Sequence, residues 1–468
     1  MPTMQEEIKQ ERSFQDYKSN VKPIWCPGCG DFAVLQAILK AFTELGLDPE
    51  KTAVVSGIGC SSRIPAYTNV YGFHGVHGRA LPIATGLKIA RPDLTVVVTG
   101  GDGDGFSIGG NHFMHACRRN VDMTYIVMDN QVYGMTKGQA SPTTAPDWSG
   151  SKLTPGGTGI NPFLPLGIAL SSGANYIART FAGDTNFTAR VITEAILHPG
   201  FSFVQILSPC VTYRPEQREW RNLTHASETE YATDPSEAGR RLLADDGLTL
   251  GVLYKGSRAV FQPDITPTSS VTDLDSGFHL PHQRQPQSLH HHRATRKGIN
   301  SVEELLAHSI DMEKEAQEAY NELADQMDVH NNQEVAELFR KMAVIEGKHV
   351  DQVTAKGEGL TLPHIAPWEY RWEIAGFKEA PEAISPTDTH YLMTPYHAVS
   401  LAIRYEQRAV DFYAKVAEST ADPAVKKMAL EMCEEEKEHV SLLKARLARY
   451  PAPKEGWDED MDPPTVQE

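Results

Sequence analysis

Two cysteines separated by two residues are the first candidates for chemistry in this sequence. Cys26 and Cys29 stand in "WCPGCG", where proline and glycine favour a tight turn. Such a pair could form a redox disulfide, supply half of a zinc site or ligate an iron–sulfur cluster. A zinc ribbon needs a second close cysteine pair, and the sequence contains none. A thioredoxin-type pair should follow a strand, and no strand is predicted before residue 26.

Two further cysteines can join this pair at one edge of a sheet. Cys60, in "GIGCSSR", and Cys210, in "ILSPC", each follow a predicted buried strand. Four thiolates that converge beside a redox-active cofactor suit a [4Fe–4S] cluster. Cys117 and Cys433 lie inside predicted helices, where we expect buried structural thiols.

Hard oxygen ligands follow two neighbouring predicted strands. The run "LTVVVTG" leads into Gly101, Asp102 and Gly103, and Asn130 follows the next strand, 28 residues after Asp102. The glycines allow the backbone to approach a diphosphate, and carboxylate and amide oxygens suit Mg²⁺. A Gly-Asp-Gly sequence by itself is also ordinary turn chemistry. Together with Asn130, it predicts a magnesium diphosphate site.

An α/β domain must position these residues. Between 31 and about 210, short apolar runs alternate with amphipathic helical runs, and the strands are predicted in "TAVVSGI", "LTVVVTGG", "MTYIVMDN" and "FSFVQILS". This alternation predicts a doubly wound sheet with its ligand at the carboxyl ends of the strands. We assign residues 1–262 to this domain and the Pro-, Ser- and His-rich residues 263–300 to a linker. We expect its "HHH" to be solvated, with metal binding or a purification tag as the alternatives.

Several motifs, taken in order, resemble a known family. "WCPGCG", "GIGCSSR", "HGR", "TGGDGD", "DNQVYGMTKGQASPT" and "SPC" resemble the β subunit of 2-oxoacid:ferredoxin oxidoreductases over roughly residues 15–260, and most closely its 2-oxoglutarate branch. The resemblance implies thiamine diphosphate held through Mg²⁺, with Asp102, Asn130 and the main-chain carbonyl of Val132 as the metal ligands. It also implies one [4Fe–4S] cluster, whose ligands match Cys26, Cys29, Cys60 and Cys210.

The resemblance further implies a reaction and its partners. The family decarboxylates a 2-oxoacid, passes electrons through the cluster to ferredoxin and transfers the acyl group to coenzyme A, or runs in reverse. We therefore expect 2-oxoglutarate to be converted to succinyl-CoA and CO₂, with pyruvate or another 2-oxoacid as the alternative substrate. The glutamate that activates thiamine belongs to a separate α subunit in this family, so we expect an α₂β₂ assembly. No motif for a second thiamine half is found in this chain, so residues 1–260 are not a complete enzyme alone.

Polar residues near these motifs have open assignments. Arg63 stands where the family places a substrate-contacting Lys or Arg, and its planar fork could bind a carboxylate, although an ordinary surface arginine fits equally well. His74, His77 and Arg79 could line the thiamine pocket or be satisfied loop residues. We include His77 among the cofactor-binding candidates.

The second half of the chain has a different pattern. Long acidic amphipathic helices are predicted near 301–328, 331–356, 395–420 and 422–449, and only the second and third are joined by a long connection. This spacing suits an all-α four-helix bundle with one crossover, within residues 301–450, followed by an acidic tail at 451–468.

This half is an internal duplication that places the same acidic residues twice. Glu313 and Glu406 are 93 residues apart, whereas the Glu-x-x-His pairs of helices 2 and 4 are 90 residues apart, namely Glu346 with His349 and Glu436 with His439. A glutamate facing a bundle core must be paired or metal-bound, because a lone buried charge costs several kcal/mol. One Glu from each of two helices plus Glu-x-x-His from the other two is the ligand set of di-iron carboxylate bundles.

Residues 301–450 resemble the ferritin-like domain of rubrerythrins but lack their rubredoxin cysteine pairs. Our hypothesis is that a di-iron site here consumes oxidants near the iron–sulfur cluster. Two alternatives stay open: the bundle is a docking or assembly module, or the chain mainly handles iron and oxygen while its thiamine half is vestigial.

Charge and hydropathy limit the partners and the cellular location that the sequence allows. Residues 1–300 carry equal numbers of acidic and basic side chains, so the formal net charge of −17 belongs to residues 301–468. An acidic bundle argues against a nucleic-acid partner. The charged N-terminal stretch lacks an apolar signal-peptide core and no run resembles a membrane span, so we expect a soluble, cytoplasmic protein with no membrane partner.

Overall fold

The computed structural model describes residues 12–261, 298–372, 381, 388–454 and 456–458. Within them the chain forms two compact units. The first comprises 12–21, 34–182 and 187–261, and the second comprises 22–33, 183–186 and the described residues from 298 onward. Most of the predicted linker and the end of the predicted acidic tail lie outside the described residues, so our domain boundaries stay predictions.

An eight-stranded sheet forms the first unit. Its strands are β1 (Thr52–Ser56), β2 (Tyr71–His74), β3 (Thr95–Gly101), β4 (Met123–Asp129), β5 (Tyr176–Phe181), β6 (Phe201–Leu207), β7 (His225–Ala226) and β8 (Thr249–Lys255). They are arranged in the order β2-β1-β3-β4-β6-β5-β8-β7. Neighbouring strands run parallel except β5 and β8, which pair antiparallel.

The helices of this fold are α1 (Phe14–Tyr17), α2 (Asp31–Leu45), α3 (Ile64–Tyr67), α4 (Ala80–Ala90), α5 (Asp102–Phe106), α6 (Gly110–Arg119), α7 (Pro165–Ser172), α8 (Thr185–Leu197), α9 (Trp220–Leu223) and α10 (Pro235–Leu243). Short 3₁₀ helices span Pro49–Lys51, Cys60–Arg63 and Pro215–Glu219.

The strands are buried, which explains why most of their sequences are continuous apolar runs. Every residue of β1, β4, β5 and β6 is buried, as expected for a parallel sheet covered by helices. Packed aromatic rings form part of one core, in which the Phe113 and Phe203 centroids are 4.8 Å apart. The predicted doubly wound architecture is confirmed.

The strand order places a cleft where ligands bind in such folds. The chain leaves β1 for β2 on one side and then returns to β3 on the other side of β1. The connections that follow β1 and β3 therefore leave on opposite sides, and in such folds ligands bind at this point of the carboxyl edge. Asp102 follows β3, and Cys60 follows β1.

Four helices form a bundle in the second unit. They are α11 (Val302–Val329), α12 (Gln333–Lys356), α13 (Pro395–Ser419) and α14 (Pro423–Leu447), and a 3₁₀ helix spans Pro367–Glu369 in the long connection. The cap of α11 is Ser301, whose Oγ accepts a hydrogen bond from Glu304 N at 3.1 Å. The cap of α14 is Asp422, which accepts one from Ala424 N at 2.7 Å, with Pro423 in the first turn. The predicted all-α four-helix architecture is confirmed.

A buried histidine fastens the long connection to the bundle. His308 is fully buried, its Nδ1 lies 2.7 Å from Glu304 O, and its Nε2 accepts a hydrogen bond from Arg371 N at 3.1 Å. Trp372 and Tyr370 stack nearby with centroids 5.0 Å apart. This part of the crossover therefore covers one face of the bundle.

No helix in the described part of the chain combines the length and apolar character that crossing a membrane requires.

Candidate functional site

Asp102 lies at the end of a central strand with its carboxylate almost fully buried. Thr143 Oγ1 lies 2.8 Å from Asp102 Oδ2 and also 2.8 Å from Asp129 Oδ1, so two carboxylates share one hydroxyl proton. Burial and the negative charge of Asp129 raise the pKa of Asp102 to about 7. Asp129 also accepts hydrogen bonds from Gln205 Nε2 at 2.6 Å and from Gln131 N at 3.2 Å. Two buried carboxylates so close together form a site that a divalent cation would stabilise.

Asn130 follows the neighbouring strand β4 and forms a tight turn. Its Oδ1 accepts a hydrogen bond from Val132 N at 3.1 Å, and Gln131 between them has a left-handed φ of 55°. Asn130 and Asp102 thus stand at the ends of adjacent strands, as the sequence predicts. The structure brings the two oxygen donors and the Val132 loop to one edge, while their role as magnesium ligands stays a prediction.

The glycines beside Asp102 allow neighbouring side chains to pack closely against the backbone at this edge. Tyr133 donates a hydrogen bond from its hydroxyl to Gly103 O at 3.2 Å. A Cβ on Gly103 would lie 2.3 Å from Tyr133 Cε1, whereas one on Gly101 would lie 3.3 Å from Ser61 Oγ. Gly103 in particular cannot be replaced without displacing the tyrosine ring.

Asp104 is a buried residue of this edge that the sequence analysis did not single out. Its Oδ1 accepts hydrogen bonds from Ile58 N at 2.9 Å and Gly78 N at 2.7 Å, and it lies 3.1 Å from His77 Nδ1. One carboxylate therefore ties together the loops that follow β1, β2 and β3. The signal was present in "GDGD", whose second aspartate is Asp104.

His77 lies beside the strand-end site. Its ring centroid is 6.4 Å from that of Tyr133. Because Nδ1 faces Asp104, Nε2 on the far side of the ring points away from that carboxylate. His74 is the last residue of β2, and Arg79 directly precedes α4, so the roles of these two residues stay open.

Two of the four candidate cluster ligands converge on one glycine. A Cβ on Gly134 would lie 3.8 Å from Sγ of Cys60 and 3.8 Å from Sγ of Cys210. Because both sulfurs lie near this one position, they also lie near each other. Arg63 ends the 3₁₀ helix that begins at Cys60.

Cys26 and Cys29 belong to the second compact unit. Cys29 N donates a hydrogen bond to Cys26 O at 2.9 Å, and Gly28 between them has φ 89°, which favours glycine. This turn presents both half-buried thiols from one short segment, as a cluster-ligating pair requires. Cys117 and Cys433 are buried, as predicted.

Gln217 and Arg214 also went unrecognised in the sequence. The Gln217 amide contacts Asn130 O and Cys210 N, and Arg214 Nη1 donates a hydrogen bond to Gln131 O at 2.9 Å. Neither residue belongs to a recognisable motif, so only the folded structure reveals them.

The bundle contains two matching groups of acidic and histidine side chains. Within each group the candidate ligand atoms lie within 4.8 Å of one another, and the groups are Glu313, Glu346 and His349, and Glu406, Glu436 and His439. The Nδ1 atoms of His349 and His439 each lie 2.9 Å from the glutamate of their own Glu-x-x-His pair. The two imidazole rings stack in parallel with centroids 4.3 Å apart, so the groups face each other.

The electrostatics of these groups fit a pair of bound cations. Burial lowers the pKa of His349, but the nearby carboxylates of Glu313 and Glu346 outweigh it and raise the pKa to about 10. Burial and neighbouring charge raise the pKa of Glu436 to about 6. Among the described residues, Oε2 of Glu313 and Oε2 of Glu406 are buried and make no hydrogen bond, although Nδ1 of His349 and of His439 lie 3.6 and 3.5 Å from them, respectively. Buried oxygens of this kind suit metal coordination, which would supply the missing partner.

Two known families match this chain. The thiamine pyrophosphate enzyme C-terminal TPP binding domain matches residues 57–206, and rubrerythrin matches residues 304–447. The matched ranges contain the strand-end site and the bundle site, respectively. They agree with the fold class predicted for each half.

Named relatives match the first half. Subunit β of 2-oxoacid:ferredoxin oxidoreductase 2 from Aeropyrum pernix is 40% identical over 258 residues, which cover 52% of this chain and 83% of the relative. The 2-oxoglutarate synthase subunit KorB from Archaeoglobus fulgidus is 47% identical over 191 residues, which cover 41% of this chain and 71% of the relative.

A solved structure is also similar. It is the 2-oxoglutarate:ferredoxin oxidoreductase from Magnetococcus marinus with 2-oxoglutarate, coenzyme A and succinyl-CoA bound. The matching chain is 44% identical, with a TM-score of 0.53, and the match covers 55% of this chain and 89% of that chain. The family resemblance predicted from the sequence is confirmed.

Proposed function

Because the chain belongs to the β subunits of the 2-oxoacid:ferredoxin oxidoreductases, we propose that it supplies the diphosphate-binding half of an enzyme that oxidatively decarboxylates 2-oxoglutarate. The observation that carries this proposal is the placement of Asp102 and Asn130 at the ends of adjacent parallel strands. Pyruvate or another 2-oxoacid is the alternative substrate.

Asp102, Asn130 and the carbonyl of Val132 would hold Mg²⁺, and the metal would bind the diphosphate of thiamine diphosphate. When bound, thiamine diphosphate stabilises the negative charge that decarboxylation of a 2-oxoacid leaves on carbon. The Thr143 hydroxyl keeps Asp102 in place, and the Asn130 turn fixes the backbone at Val132. His77 is the neighbouring side chain that can donate a hydrogen bond to a phosphate oxygen.

The cysteines and Arg63 would complete the site. Four thiolates, from Cys26, Cys29, Cys60 and Cys210, would hold a [4Fe–4S] cluster that passes single electrons to ferredoxin. The planar guanidinium of Arg63 can bind a substrate carboxylate through two parallel hydrogen bonds. The second carboxylate of 2-oxoglutarate distinguishes this substrate from pyruvate.

An α subunit would supply the other half of the thiamine site and coenzyme A the acyl acceptor. The sequence offers no motif for that second half, so the chain would act within a hetero-oligomer such as α₂β₂. Purification with the α subunit is therefore the starting point for every assay of this function.

Asp102→Ala tests the proposed diphosphate site. The variant should lose Mg²⁺-dependent binding of thiamine diphosphate, measured by calorimetry, and keep its iron–sulfur absorbance. Asp93→Ala is the matched control, because Asp93 is an exposed aspartate just before β3, at the strand's opposite end. Undiminished binding by Asp102→Ala would place the metal elsewhere.

We propose a second function for the bundle, which is supported by its rubrerythrin match and by the two facing groups of candidate ligand residues. Two ferrous ions held by these residues would give one electron each to a peroxide, which takes up two protons and becomes two waters. Reduced ferredoxin, a product of the proposed reaction, would return the ferric ions to the ferrous state and so protect the oxygen-sensitive enzyme. The double variant Glu313→Ala with Glu406→Ala should bind less iron, leave anaerobic turnover unchanged and shorten the half-life of activity under air. Equal half-lives for variant and parent would favour a docking or assembly role instead.

A further inference from the structure

Gln217 joins two loops that the proposed function assigns to different cofactors. Its side chain is almost fully buried, within the 3₁₀ helix Pro215–Glu219 that follows Cys210 along the chain. Nε2 donates a hydrogen bond to Asn130 O at 2.7 Å, and Oε1 accepts one from Cys210 N at 2.9 Å. We infer that Gln217 is a positioning residue that fixes the metal-binding turn relative to the cluster-ligating Cys210, an inference that rests on the proposed function.

A primary amide is required for this contact. The partner on one side is a carbonyl, which needs a donor, and the partner on the other side is an N–H, which needs an acceptor. Both partners are backbone groups, so neither can be changed by substitution of its own side chain. A glutamate keeps only the acceptor when it is ionised, and a leucine keeps neither.

Arg214 strengthens the same connection independently. Its Nη1 donates to Gln131 O at 2.9 Å, which also accepts a hydrogen bond from Thr144 Oγ1 at 2.7 Å. Its backbone N donates to Cys210 O at 2.8 Å. The left-handed conformation of Gln131 is therefore held by side chains on both sides.

The loop that begins at Asn130 also ends at the cysteines. Four residues after Asn130, Gly134 lies against the sulfurs of Cys60 and Cys210, as its 3.8 Å Cβ distances show. Residues 130–134 thus run from the proposed diphosphate site to the proposed cluster. The Gln217 side chain connects Asn130 and Cys210 a second time. A displacement of the Asn130 backbone would therefore displace the Cys210 backbone, and the reverse.

Two variants of Gln217 separate its two hydrogen bonds. Gln217→Leu has similar volume and removes both, whereas Gln217→Glu keeps an acceptor for Cys210 N and faces Asn130 O with a carboxylate. Each should weaken the binding of thiamine diphosphate, since loss of a buried hydrogen bond costs on the order of tenfold in affinity. In Gln217→Leu, the paramagnetic resonance spectrum of the reduced cluster should also change.

The control is another buried amide that bonds only to backbone groups. Asn175 Nδ2 donates to Pro199 O and Arg258 O, and its Oδ1 accepts from Arg258 N, just before β5 and away from the carboxyl edge. Asn175→Leu should lower the melting temperature and leave both the cofactor affinity and the cluster spectrum at parental values.

The experiment uses the full-length chain purified with the α subunit, calorimetry with thiamine diphosphate and Mg²⁺, and resonance spectra after reduction. Weaker binding in both Gln217 variants, together with a changed spectrum in Gln217→Leu and parental values in Asn175→Leu, supports the inference. Parental affinity and spectrum in Gln217→Leu would overturn it. Asp102→Ala, measured in parallel, tests the proposed function separately, because its unchanged binding would refute the diphosphate site itself.

Discussion

Replacing a buried glutamate of the bundle by glutamine should have opposite effects on metal binding and on stability. Glu313 is 3% exposed, and its Oε2 makes no hydrogen bond among the described residues. In the metal-free protein only the His349 imidazole, with Nδ1 3.6 Å away, offsets the burial of this oxygen, and a buried oxygen that lacks a hydrogen bond costs about 1–3 kcal/mol. Glu313→Gln replaces that oxygen with an amide group that can donate to a neighbouring carboxylate.

The magnitude follows from the size of the domain. A gain of about 2 kcal/mol in the free energy of unfolding raises the melting temperature by roughly 4–8 °C for a domain of 150–250 residues. Glu313→Gln should therefore melt higher than the parent when both are stripped of metal. The order should reverse once iron is added, because iron stabilises only the protein that binds it.

Differential scanning calorimetry of the full-length chain, with and without a chelator, measures both effects. Iron content by mass spectrometry gives the accompanying loss of metal. Glu438→Gln is the matched control, because Glu438 is an exposed glutamate on α14 beside the candidate ligands. A lower metal-free melting temperature for Glu313→Gln, combined with parental iron content, would refute the proposed ligand role.

Three further predictions concern single side chains. Cys210→Ala should reduce iron–sulfur absorbance and leave the affinity for thiamine diphosphate near the parental value, since the backbone contact to Gln217 survives; an unchanged spectrum would remove this residue from the cluster. Asp104→Asn should weaken thiamine diphosphate binding on the order of tenfold by calorimetry, because a charged acceptor of two backbone N–H groups is lost; equal affinity would make Asp104 purely structural. Burial lowers the pKa of His308 to about 4 in the folded chain. As the pH falls below about 6.5, His308 is therefore protonated in the unfolded chain but stays neutral in the folded one. Bundle stability should then decline by up to about 3 kcal/mol towards pH 4 in denaturant titrations, and His308→Gln should flatten that decline.

Local patterns in the sequence predicted much of the fold. The bundle helices begin and end within two residues of their predicted limits, because helical periodicity and caps such as Asp422 are encoded in adjacent residues. The duplicated Glu-x-x-His pairs were found for the same reason. Strands β1, β3, β4 and β6 were recognised from their continuous apolar character.

The elements that were missed depend on tertiary contacts. Strand β5 contains Arg179, whose charge interrupts the apolar run and is buried because Asp245, Gln205 and Thr249 O accept its hydrogen bonds. Strand β2 has four residues, all exposed, and its two aromatic residues alternate with Gly and His, so it lacks the continuous apolar run of the buried strands. Strands β7 and β8 were also not predicted.

The missed site residues have the same explanation. Gln217 contacts a carbonyl 87 residues away, and Asp104 contacts an N–H 46 residues away. A single glutamine or aspartate carries no sign of such a partner in its neighbours. The motifs therefore predict the donors that face a cofactor, and only the fold shows what holds them in place.

The reduction of a viologen dye by 2-oxoacids tests the central claim most directly. The full-length chain, purified anaerobically with the α subunit, is supplied with thiamine diphosphate, Mg²⁺ and coenzyme A. We predict coenzyme A-dependent reduction that is faster with 2-oxoglutarate than with pyruvate and is abolished in Asp102→Ala. No reduction with any 2-oxoacid, in a preparation with bound thiamine diphosphate and an intact iron–sulfur spectrum, would contradict the account.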